Sequence, residues 1–161
     1  MSKKLQNNGL WESSRMMLPQ HKEQSLHLGQ ENSVSEPPTS KELNLMRDSI
    51  ILPVTIEIVH KKRMELEMID LMFKVAYLEV TKILTRSLQK DLQKTKKALI
   101  EKKIRLQEDS RETTQIIYRY FCRGYEDQLV ITKNYMRDEI GRKIDTYLKN
   151  LITILQESAK S

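Results

Sequence analysis

The residues from Phe73 to Leu106 constrain this chain more than any other stretch. Tyr77, Val80, Thr81, Leu84, Leu88, Leu92, Thr95 and Leu99 recur at spacings of three and four, which places them on one stripe of an α-helix. Lys82, Arg86, Lys90, Gln93 and Lys97 fall on the opposite face. A helix divided in this way has to bury its leucine stripe, so the rest of the chain is read as what covers it. With only 4 Gly and 4 Pro, the chain is poor in tight turns and cannot assemble a phosphate-cradling glycine loop.

The stretch after this helix changes period. Ile104 and Leu106 alternate with charged residues, Glu108–Thr114 is a polar connector, and Gln115–Arg123 is dense in β-branched and aromatic side chains. This pattern predicts a β-hairpin over about 103–123. Ile116, Tyr118, Tyr120 and Cys122 share one face, and Ile117, Arg119, Phe121 and Arg123 the other. Residues 125–132 fit either a third strand or the entry to a helix. From about Asn134, Met136, Ile140, Ile144, Tyr147, Leu148, Leu151 and Leu155 predict a second amphipathic helix, with 156–161 a frayed tail.

Upstream, Thr39 and Ser40 are N-cap candidates for a helix starting near Lys41. Pro53 opposes its continuation, and Val54, Ile56 and Ile58 alternate as a strand would. A kinked or two-piece helix is favoured by the Lys-, Glu-, Met- and Leu-rich run from Glu57 to Met72. The predicted fold class is therefore α+β: a predominantly helical domain over about 41–155 with one β-hairpin, behind a disordered head over 1–40.

The head contains one apolar island, Leu10, Trp11, Met16, Met17 and Leu18. Large apolar anchors in a polar segment suit a peptide that folds onto a protein partner, with Trp11, Arg15, Met16, Met17 and Leu18 as its contacts. The same anchors would equally suit docking on the chain's own core. The run Asn8-Gly9-Leu10-Trp11-Glu12-Ser13-Ser14-Arg15-Met16-Met17-Leu18-Pro19-Gln20-His21-Lys22-Glu23 resembles the N-terminal signature of the YolD-like family, small proteins of Gram-positive bacteria, their phages and plasmids. The likeness covers about residues 5–24. It implies a strand over Pro53–Ile58, an accessory role in DNA-damage tolerance or mobile-element biology, and a Y-family DNA polymerase as partner.

Charge points to a different partner. Nine basic residues between Lys82 and Arg105 face only Asp91 and Glu101, a local excess larger than the +6 of the whole chain. Lys82, Arg86, Lys90, Lys97, Arg119 and Arg123 are the candidate nucleic-acid contacts, with a solvated helix face as the alternative. The Leu stripe also admits a third reading, self-association along a helical seam.

No enzyme is expected. His21, His27 and His60 are scattered, Cys122 has only His60 as a conceivable base, and no metal or cofactor motif occurs. The lone cysteine, the absence of an apolar run long enough to span a bilayer and the lack of a leader pattern predict a cytoplasmic protein with no membrane segment. A non-enzymatic binding or adaptor protein is the leading expectation.

Overall fold

A computed structural model describes residues Ser35–Ser161. The expected head peptide, Trp11, Arg15, Met16, Met17 and Leu18 included, lies outside the described residues. Helix α1 spans Ser40–Met68. It starts with a capping box: the Thr39 hydroxyl accepts from the Glu42 N–H at 3.3 Å, and the Glu42 carboxylate accepts from the Thr39 N–H at 2.8 Å.

The helix runs through Pro53 without a break, so 53–59 is neither a strand nor the join of a two-piece helix. Burial explains why. Ile50, Ile51, Leu52, Thr55 and Val59 are buried at helical spacing around an exposed Pro53, and a strand would turn half of them outwards. The proline sits on the solvent side, where water can reach the carbonyl its missing N–H leaves unpaired.

Helix α2 covers Lys74–Glu101 and forms an antiparallel hairpin with α1. Of the predicted stripe, Leu84, Leu88, Thr95 and Leu99 are buried, while Tyr77 is exposed. Lys103, at φ 55°, then turns the chain into β1 (Ile104–Arg111), followed by β2 (Gln115–Cys122) and β3 (Tyr125–Thr132).

The hairpin predicted over 103–123 is thus part of a three-stranded antiparallel sheet in the order β1-β2-β3. Ile104 pairs with Cys122 and Arg111 with Ile116, and a bulge between Glu108 and Ser110 takes up Asp109. Gln115 pairs with Thr132, and Cys122 with Tyr125. The two-residue turn between β2 and β3 has positive φ at both Arg123 (48°) and Gly124 (77°), the backbone of a type I′ hairpin turn.

Helix α3 occupies Lys133–Lys160, capped by the Thr132 hydroxyl at 3.1 Å from the Tyr135 N–H. It continues through 156–160, where the sequence predicts fraying. Two apolar clusters hold these elements together. In one, the inner sheet face (Ile104, Tyr120, Cys122, Leu129, Ile131) closes on Met46 and Ile50 of α1 and Leu99 of α2. In the other, Leu52 and Val59 meet Leu84 and Leu88, and Ile144, Tyr147 and Leu148 of α3 lie over them. A Cβ built on Gly141 would meet nothing within 4 Å, so this helical glycine answers no packing need.

Candidate functional site

The six basic residues singled out for nucleic acid fare unequally. Lys82 lies 3.7 Å from Glu79 and Lys97 3.9 Å from Glu101, exposed pairs of small energetic consequence. Arg119 stands between Asp109 at 3.2 Å and Glu126 at 3.6 Å on the outer sheet face. Arg123 is engaged with Glu42 of α1 and with the residues just before that helix, as described next. Arg86 and Lys90, both exposed on α2, with Lys90 at the groove beside α3, make no ion pair among the described residues.

Arg123 does not follow the strand alternation expected of it, because it sits in the β2–β3 turn at positive φ. From there its guanidinium reaches back to Glu42: Nη1 donates to Oε1 at 2.7 Å and Nη2 to Oε2 at 3.0 Å. Nη2 also approaches the Pro37 carbonyl at 3.4 Å, and Nε faces Glu36 at 3.8 Å without a hydrogen-bond partner. The hydrogen bonds from Arg123, and next the Thr39 N–H, hold the buried Glu42 carboxyl well below its ordinary range, at about 2. The arrangement locks the first turn of α1 to the tip of the sheet.

Cys122 is fully buried in the sheet cluster, and burial pushes its thiol up, away from the thiolate. His60 is an exposed residue of α1. Across α2 and α3, the Tyr147 hydroxyl donates to Asp91, and burial together with this bond pushes the phenol up. Lys143 of α3 pairs with Asp48 of α1 at 2.7 Å. These are joints between helices. No group of three or more His, Cys, Asp or Glu among the described residues could hold a metal ion, and no described helix is long and apolar enough to cross a membrane.

The most unusual surface is the loop end of the α1–α2 hairpin. No residue between Val59 and Leu84 is buried. Helix α1 ends at Met68, after which Ile69–Phe73 connects to α2 with Phe73 in the left-handed region at φ 64°. Met68 is 89% exposed, Met72 79%, Phe73 73% and Val75 77%, and Met64, Ile69, Leu71 and Tyr77 are exposed beside them. Single exposed apolar residues are ordinary, but eight at one end of a helical hairpin form a patch of the kind that marks an interaction surface. Three methionines lend it adaptable, polarisable contacts. Sequence reading missed this surface because its residues look like ordinary core formers. The one available signal was their density around Asp70, with no facing stripe left to cover them.

A family model described as YhjD protein matches residues 37–152, and the chain belongs to the YhjD family. The match spans the capping turn of α1, both hairpin helices, the sheet and most of α3. It overturns the likeness to the YolD-like family, which rested on a short run in the head. The implied strand over Pro53–Ile58 falls with it, since those residues are helical. No curated protein and no solved structure matches the chain.

Proposed function

We propose that this member of the YhjD family works by binding rather than by catalysis, and that the loop end of its helical hairpin is the binding surface. The observation that carries this reading is the exposed apolar cluster from Met64 to Tyr77 on a stretch where nothing is buried. A second feature supports it. A left-handed conformation is costly for a bulky residue, so Phe73 is an expensive choice where Gly or Asn would turn the chain more easily.

The test is a photo-cross-linking amino acid placed at Met72 in the full chain in living cells, with the same group at the exposed Glu157 as control. Adducts of one or a few discrete masses at 72, absent at 157 and lost when Met68 is changed to Glu, are expected. Equal labelling at both positions, or none at either, rejects the surface.

A second reading rests on Arg86 and Lys90, which leave part of the basic face of α2 without acidic partners among the described residues. If this face follows a nucleic-acid backbone, log affinity falls linearly with log salt, by roughly 0.9 per neutralised phosphate on duplex DNA. The R86E/K90E variant should then abolish the binding. Affinity that ignores salt concentration would dismiss this reading.

A further inference from the structure

We infer that the occupant of the hairpin end is a second copy of this chain, the two α1–α2 hairpins overlapping antiparallel about a two-fold axis near Met64. This rests on the reading of that end as a binding surface. The predicted self-association along the leucine stripe needs relocating first. Leu84, Leu88 and Leu99 are spent inside the chain, on α1, α3 and the sheet, so the stripe cannot serve as an intermolecular seam. What is left for another copy lies beyond Val59 and Leu84, where two helices continue and, among the described residues, no third element lies against them.

Area and charge select the partner. At roughly 150–250 Å² for a large side chain, the eight exposed residues from Met64 to Tyr77 offer about 1,000 Å² per copy. A standard stable interface buries about 800 Å² on each side, so a second copy is sufficient to cover the patch. The hairpin end is also close to neutral, although the chain as a whole is basic. Between Val59 and Leu84, the five cations Lys61, Lys62, Arg63, Lys74 and Lys82 stand against the four carboxylates Glu65, Glu67, Asp70 and Glu79, a net +1. Lys62–Glu65 at 2.7 Å and Arg63–Glu67 at 3.4 Å are already paired along α1.

An anionic lipid surface or an acidic partner would gain little from such an end, whereas two copies meet on it with little repulsion. On α1 the cations 61–63 precede Met64 and the carboxylates of Glu65 and Glu67 follow it, with Asp70 just beyond the helix end. That order is its own complement when two such helices run antiparallel, as a two-fold interface requires. Helices packed in this way would complete a four-helix arrangement around the methionines and Phe73.

Sedimentation velocity of the full chain, from roughly 1 to 100 μM, tests the inference. The wild type is expected to sediment as a dimer that dissociates on dilution. The M68E/M72E variant should weaken self-association roughly 100-fold or more while keeping its far-UV circular dichroism, because both positions are exposed and outside the cores. A disulfide formed rapidly by Met64→Cys between two chains would place the axis.

A wild type that stays monomeric at the highest concentration overturns the second copy, as does a dimer that survives M68E/M72E. If the monomer still cross-links at Met72 to a different protein, or to a segment of its own chain, the surface stands and only its occupant is wrong. If Met72 labels nothing, the surface itself is wrong.

Discussion

Replacing Leu88 with Ala is expected to destabilise the fold by about 3–4 kcal/mol, because a fully buried leucine loses its transfer energy and leaves a cavity that rigid neighbours fill only in part. Leu88 is 0% exposed at the point where all three helices meet: Leu52 and Val59 of α1 lie on one side, Leu84 on its own helix, and Ile144, Tyr147 and Leu148 of α3 above. For a domain of this size each kcal/mol lowers Tm by about 3–5 °C, so a fall of roughly 10–20 °C should follow.

Leu155→Ala, on an exposed turn of α3, is the matched control and should change stability by less than about 0.5 kcal/mol. Urea denaturation followed by circular dichroism at one fixed protein concentration measures both, the fixed concentration being needed because self-association would add to apparent stability. A cost below about 1 kcal/mol for Leu88→Ala would mean that α3 does not seal the hairpin as described.

The contrast between Leu88 and Tyr77 marks how far the fold could be read from residues. Both lie on the stripe that periodicity predicts, and the half nearer the sheet is buried as expected. Periodicity, however, says which side of a helix is apolar and nothing about where its cover stops. The sheet covers Leu99, and the last stripe residue buried under α1 and α3 is Leu84, so the same stripe that is core at Leu88 is surface at Tyr77.

The central strand was equally legible. Ile116, Tyr118, Tyr120 and Cys122 face the core side together because alternation has a fixed period of two. Strand β3 was not, since Glu126, Asp127 and Gln128 break the apolar pattern at an exposed edge before Leu129 and Ile131 restore it. Pro53 left strand and helix both open, with the helix favoured: its local preference is real, but five buried neighbours at helical spacing outweigh it. The exposed hairpin end was hardest, because exposure is decided by elements that end elsewhere in the sequence.

The pairing of Arg123 with Glu42 was also beyond sequence reading, as 81 residues separate the two, and it gives the second large effect. Arg123→Ala is expected to destabilise the fold clearly near neutral pH, but by less than the loss of a wholly buried ion pair would, because a third of the arginine side chain is in solvent. The loss has a defined pH dependence. Glu42 titrates at about 2 in the folded chain against an ordinary 4.5, so between those values the unfolded chain binds the extra proton.

The stability contributed by Glu42 is therefore complete above about pH 4.5 and disappears as pH falls through about 2. Glu42→Gln, measured by urea denaturation, should be costly near pH 7 and close to wild type near pH 2, where the native carboxyl has taken up its own proton. Arg123→Ala should move the wild-type acid transition upwards, since only the Thr39 N–H and hydroxyl remain to favour the carboxylate. The double variant should cost less than the two single losses added together, because neither group is then left buried without its partner. A Glu42→Gln penalty that stays the same from neutral pH to pH 2 would show that the residue acts through its shape in the capping box, and not through its charge.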